Sequence, residues 1–210
     1  MLRTPDSQAV FEVAFREHEE VVRQLEKQRA VLESIAAAMS SVVNRKGKIL
    51  WCGNGGSAAD SQHLAAEFVG RFRRERRALA SIALTTDSSI LTAVANDYGF
   101  ETVFSRQVEA LGNPGDLIVG ISTSGNSQNI IAALEAARTQ GLRTVGFTGE
   151  GGGRIAHCAD HLLAIASRNT ARIQEAHIFA GHILCDWIDM ACLCPEDGEK
   201  NHVLSAEKTR

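Results

Sequence analysis

Residues 49–70 read ILWCGNGGSAADSQHLAAEFVG, and three kinds of segment follow one another in that stretch. Ile49, Leu50, Trp51 and Cys52 form a short apolar run of the kind a buried strand needs. Gly53, Gly55 and Gly56 then allow a tight turn and a close backbone approach to a ligand, and Ser57 or Asp60 is placed to cap the helix that follows. Past the turn, His63 and Glu67 stand four residues apart, so on a helix both project from one face, one turn apart. On most surface helices such a pair is solvated. Here it follows a glycine turn at the carboxyl end of a strand, where open parallel sheets hold their ligands. The G-x-G-x-x-A string at 53–58 lacks the partner that a dinucleotide site demands, an acidic residue about 20 positions on at the end of the second strand. That region holds the basic run 72–77, and the first strand-end acid is Asp87.

Outward from this stretch the chain keeps alternating strand with helix. Helical periodicity without glycine or proline covers about 8–43 and predicts two helices or one bent helix. Its stripe of Val10, Phe11, Val13 and Ala14 suits packing on another subunit as well as on its own domain. Further strands are expected at 81–84, 116–121, 142–148 and 162–165, and helices at 88–97, 100–111, 128–140, 154–158 and from about 171 to before Pro195. The third strand is almost continuously apolar, as burial on both faces requires. The predicted fold is α/β: a doubly wound, five-stranded parallel sheet flanked by helices, with right-handed crossovers and an N-terminal helical appendage. One domain spans 1–195, and a polar tail, 196–210, is expected to fray.

Composition narrows the function. At 210 residues with 44% hydrophobic content the chain suits one globular core, and a net charge of -3 gives no reason to expect nucleic acid or an anionic membrane as partner. The basic run RFRRERR at 71–77 is too brief for a nucleic-acid patch and reads as a solvated loop or an oligomer contact. Five scattered cysteines, an odd number without a C-x-x-C pair, read as reduced core residues. No charged-then-apolar leader opens the sequence and no apolar run approaches the ~20 residues of a membrane span, so a cytoplasmic protein is expected.

Two further segments carry chemistry. Ser122, Thr123, Ser124, Gly125, Asn126 and Ser127 follow the third strand and open a helix, which makes an anion cradle suited to a phosphate. The Gly-Lys-Ser/Thr ending of a nucleoside triphosphate loop is absent. The final helix carries Gln174, Glu175, His177 and His182, with Gly181 allowing a close approach. Gln174 and His182 lie about 80° apart around the helix and so are expected to face one cleft. Together with His63 and Glu67 they form a plausible N and O ligand set for a divalent metal.

At these residues the chain resembles the SIS (sugar isomerase) family, in its heptose-phosphate isomerase branch. The motifs are CGNGGSAADSQHLAAE at 52–67, LTTDSSILTAVANDYG at 84–99, ISTSGNS at 121–127, and RIQEAH with the following GH at 172–182. The resemblance implies a homotetramer that interconverts sedoheptulose 7-phosphate and D-glycero-D-manno-heptose 7-phosphate, the first step towards ADP-heptose for lipopolysaccharide or related glycans. It implies substrate contacts from Asn54, Gly55, Gly56, Glu67, Asn96, Asp97, Ser122, Thr123, Ser124, Ser127 and Gln174. It further implies zinc, one ion per subunit, on His63, Glu67, Gln174 and His182, with Glu67 and His182 also catalytic. Glu67 would serve as the base and His182, taken to titrate near neutrality, as its partner at the oxygens. The rival readings are a non-catalytic scaffold on the same fold, of the replication-initiator-associating type, and an isomerase for another sugar phosphate. The presence of Glu67, His182 and Gly55-Gly56 favours the enzyme.

Overall fold

Strand β1, Ile49–Gly53, is buried along its whole length and sits inside the sheet. β2 (Ser81–Ala83) pairs with it on one side and β3 (Leu117–Ser122) on the other, followed by β4 (Arg143–Thr148) and β5 (His161–Ala164). All pairings are parallel, as the sequence pattern predicts, and the order is β2-β1-β3-β4-β5. The computed structural model describes residues 7–192. The polar tail expected over 196–210, with Cys194 and Pro195, lies outside them.

Side chains of a strand alternate between faces, and this splits the core in two. Ile49, Trp51, Val119 and Phe147 face one layer made by α2 (Arg29–Asn44), α3 (Gly56–Val69) and α7 (Thr170–Ala191), through Ile35, Met39, Leu64, Phe68, Leu184 and Ile188. Leu50, Cys52 and Ile118 face the other, made largely by α5 (Ser105–Leu111) and α6 (Gln128–Thr139) through Val108, Ile130 and Leu134. Trp51 anchors the first layer, its ring edge-on to Phe68 at 5.8 Å and its indole N–H donating to Ser81 Oγ at 2.8 Å.

The N-terminal stretch is two helices, α1 (Ser7–Glu26) and α2, broken at residues 27–28. In α1 the buried apolar residues are Val21 and Leu25, while Val10, Phe11, Val13 and Phe15 are exposed, Phe15 to 68%. α4 (Ser88–Tyr98) has no buried residue. Two local expectations are refined and one is corrected. The stretch 100–111 is a single 3-10 turn (Phe100–Thr102) followed by α5, because Val103 and Phe104 between them turn into the core. The segment after the triple glycine is also 3-10, at Gly153–His157. Finally, neither Ser57 nor Asp60 caps α3. Gly55 does, at φ +57, and Asp60 lies within the helix, its carboxyl pushed up by burial. Cys52, Cys158 and Cys185 are buried thiols, and burial pushes Cys185 up to about 12, far from thiolate. Among the described residues no helix is long and apolar enough to cross a membrane.

Candidate active site

The strand order reverses between β1 and β3, and open α/β sheets hold ligands outside the carboxyl ends at that point. The two loops leaving there are the glycine turn and the hydroxyl segment. They are tied by a reciprocal amide pair: Asn54 Nδ2 donates to Asn129 Oδ1 and Asn129 Nδ2 to Asn54 Oδ1, each at 2.9 Å. Gly56 opens α3 against the side chain of Gln174; a Cβ there would stand 2.6 Å from Gln174 Nε2. Gln174 therefore reaches the turn because residue 56 has no side chain.

Past β3 the hydroxyls converge. Ser122 Oγ lies 2.9 Å from Ser127 Oγ and 3.4 Å from Ser124 Oγ, which accepts the Asn126 N–H at 3.2 Å. Ser127 precedes α6 without spending its side chain on capping, so its hydroxyl and the first N–H groups of α6 remain available to an anion. Thr123 and Ser124 line a cavity of about 270 Å³ together with Ser167, Arg168 and Thr170. Gly125 is required twice over. Its φ is +66, and a Cβ would stand 2.2 Å from the carbonyl oxygen of Gly152.

The residues expected to act as acid and base sit elsewhere along the same helices. α3 and α7 run side by side in one direction, with Gly56 beside Gln174 and, further along, Leu64 beside Gly181, where a Cβ would meet Leu64 Cδ2 at 2.6 Å. That close approach brings the next residues together: His63 Nε2 and His182 Nε2 share a hydrogen bond at 2.9 Å. Glu67 Oε1 lies 3.5 Å from His63 Nε2, its side chain 22% exposed. Phe72 is stacked on the ring of His182, with centroids 5.1 Å apart and planes 20° apart. Burial holds the pKa of His182 below the usual histidine value, His63 lowers it further and Glu67 opposes the shift.

The expected four-ligand set is not gathered in one chain. Eight residues separate Gln174 from His182, about 12 Å along the axis, so the favourable 80° between them does not bring them into one cleft. Among the described residues no three His, Cys, Asp or Glu side chains form a closed metal-holding group; His63 stands between His182 and Glu67 in a row. The donor types suit zinc all the same. Tetrahedral bonds of ~2.0–2.1 Å put neighbouring donor atoms about 3.3–3.4 Å apart, near the 2.9 and 3.5 Å spacings here. Asn96 and Asp97 are exposed on α4 and bond each other at 2.8 Å. His177 is a core histidine: its Nε2 meets the Thr148 carbonyl at 3.0 Å, and burial lowers its pKa to about 4. Glu175 pairs with His18 and Arg172, tying α1 to α7.

Sequence reasoning missed Asn129, Phe72, Arg76 and Asp189. Asn129 and Asp189 left a usable signal, since each is a polar residue at a core-facing position of an otherwise apolar helix face. The basic run 71–77 is corrected from a solvated loop. Arg76 and Asp189 form an ion pair whose side chains are 2% and 0% exposed.

With this geometry in hand, similarity to known proteins is specific. The SIS domain model matches residues 15–149. The phosphoheptose isomerase of Roseiflexus sp. (strain RS-1) is 58% identical over 167 residues, 80% of this chain and 85% of the relative. Phosphoheptose isomerase 1 of Campylobacter jejuni subsp. jejuni serotype O:2 is 51% identical over 178 residues, 85% of this chain and 96% of the relative. Among solved structures, the phosphoheptose isomerase GmhA from Neisseria gonorrhoeae superposes with a TM-score of 0.83 at 47% identity, covering 87% of this chain and 98% of that one.

Proposed function

Because the chain belongs to the SIS-domain family, among its phosphoheptose isomerases, we propose that it interconverts sedoheptulose 7-phosphate and D-glycero-D-manno-heptose 7-phosphate. The observation that carries the reading is the combination, on one fold, of a serine cradle for the phosphate with the row His182–His63–Glu67. Moving a carbonyl from C2 to C1 requires a base that takes a proton from C1 and returns it to C2, and a group that moves a proton between the two oxygens. Glu67 serves as the base. His182, hydrogen-bonded to His63 through Nε2, is the group we assign to the transfer between the oxygens. Asn54, Gly55, Gly56 and Gln174 orient the sugar, while Ser122, Thr123, Ser124 and Ser127 hold its phosphate. Asn96 and Asp97 complete the substrate contacts in this reading.

Glu67 lies eleven residues beyond Gly56, about 16 Å along α3, farther than an extended seven-carbon backbone reaches. We therefore place the sugar between copies, the cradle and glycine turn of one chain facing the acid/base row of another. An apolar groove lined by Val22, Leu25, Leu32, Phe179, Ile183 and Trp187, and the exposed residues of α1, support such an assembly, which we take to be a homotetramer. Zinc belongs to the same reading: His63, Glu67 and His182 would hold it, with Gln174 arriving from the facing chain. When bound, it would polarise the sugar oxygens as a Lewis acid. The product leads towards ADP-heptose, and the buried thiols suit a reducing cytoplasm.

Incubating the purified protein with sedoheptulose 7-phosphate and following aldose formation tests the activity; no aldose would end the reading. Sedimentation of the full chain as a well-folded monomer would end the shared-site part of it.

A further inference from the structure

The loop between α3 and β2 alternates in exposure, with Phe72, Arg74 and Arg76 turned inward and Arg71, Arg73, Glu75 and Arg77 outward. Asp189 on α7 fastens it. Its Oδ2 accepts the backbone N–H of Arg73 at 2.6 Å and of Arg74 at 2.9 Å, and its Oδ1 accepts Arg76 Nε at 2.8 Å. Asp186, one turn earlier, takes the guanidinium groups of Arg73 and Arg74. The remaining nitrogens of Arg76 donate to the carbonyls of Glu67 at 2.8 Å, Phe68 at 2.9 Å and Gly70 at 3.2 Å, satisfying the open carbonyl end of the helix that carries Glu67. A single buried ion pair thus joins the end of α3 to α7, two turns beyond His182.

This latch has a product. It lays Phe72 flat against one face of His182, while His63 meets the same ring edge-on at 5.1 Å. A partly exposed imidazole is otherwise free to exchange among rotamers and to turn about its broad terminal torsion. Held between an aromatic face and a hydrogen-bonded neighbour, it keeps one orientation. We propose that Phe72 is a positioning residue for His182, and that the Arg76–Asp189 latch holds Phe72 in place. The inference rests on His182 being the proton carrier, and it assigns to the arginine-rich loop the setting of that ring.

The test compares Phe72→Leu with Phe72→Tyr in the full-length protein, by two readouts. The first is the imidazole proton resonance of His182, assigned with His182→Gln. The second is turnover of sedoheptulose 7-phosphate. Phe72→Leu keeps apolar volume but removes the ring. It should shift the His182 resonance and lower kcat roughly 10–100-fold with little change in KM, the scale expected of a misplaced catalytic group. Phe72→Tyr keeps the ring and should restore both. Asp189→Asn should shift the same resonance with Phe72 intact. Because Asp189→Asn leaves a buried guanidinium uncompensated and can fail to fold, the Phe72 pair decides the proposal. An unmoved His182 resonance in Phe72→Leu would overturn it, as would wild-type kcat in that variant. Wild-type protein inactive on the sugar would overturn the isomerase reading instead, and the resonance would still decide whether Phe72 sets the ring.

Discussion

Gly125→Ala is the sharpest structural perturbation of the hydroxyl cradle. Two costs fall on this residue. At φ +66 the added Cβ crowds its own backbone, worth roughly 1–2 kcal/mol for a residue other than glycine. The Cβ would also stand 2.2 Å from the Gly152 carbonyl oxygen, 2.6 Å from its carbon and 2.9 Å from Gly153 N. Those are backbone atoms, with no side chain to swing aside, and overpacking of this kind costs a further 1–3 kcal/mol or so. The expected total is about 2–5 kcal/mol. Gly115→Ala is the matched control, since its φ is +88 but nothing lies within 4 Å of the added atom, leaving about 1–2 kcal/mol. Urea unfolding of the wild type and both variants, read by circular dichroism at one protein concentration, separates the terms. A loss in Gly125→Ala no larger than in Gly115→Ala would refute the claim that the close approach of the Gly152 backbone requires glycine at position 125.

Other outcomes follow from the same geometry. Ser124→Ala removes one hydroxyl of the cradle, and a hydrogen bond to a charged group is worth roughly 1.5–3 kcal/mol. Calorimetry should therefore find sedoheptulose 7-phosphate bound on the order of tenfold more weakly; an unchanged Kd counts against the cradle. His177, whose pKa is lowered to about 4 in the fold, protonates near 6.5 when unfolded, so the native state binds fewer protons between those values. Its contribution is fully present above pH 6.5 and is lost as pH falls towards 4, by roughly 3 kcal/mol in all. His177→Gln should flatten the fall in urea midpoint over that window, and an equally steep fall would exclude His177 as its source. Elemental analysis of purified protein should find zinc, or another divalent ion, near one equivalent per chain and much less in His63→Ala. Equal content in both would remove His63 from the site.

The sheet was legible because each strand announces itself twice, as an apolar run and as the lead into a glycine or hydroxyl turn. Ile49–Gly53 and Leu117–Ser122 fall within a residue of their predicted bounds for that reason. The i, i+4 pair His63 and Glu67 was legible from helix periodicity, and the cradle from four hydroxyls in six residues. Axial distance was not: an angle read off a helical wheel places Gln174 and His182 on related faces but says nothing of the ~12 Å between them. The basic loop failed for a different reason. Seven residues with five arginines look solvated until their partners are known, and those partners, Asp186 and Asp189, lie more than a hundred positions away. The cap of α3 misled because Gly55 adopts a positive φ that starts the helix before Ser57 is reached.

The proton transfer assigned to Glu67 is open to a direct measurement. Wild-type protein and Glu67→Gln are incubated with sedoheptulose 7-phosphate in deuterated water, and the aldose is followed by NMR. The account predicts deuterium at C2 of the wild-type product. It also predicts that Glu67→Gln still binds the sugar phosphate but turns it over on the order of 10²–10⁴-fold more slowly, the scale for loss of a general base. Near-normal turnover by Glu67→Gln would contradict it.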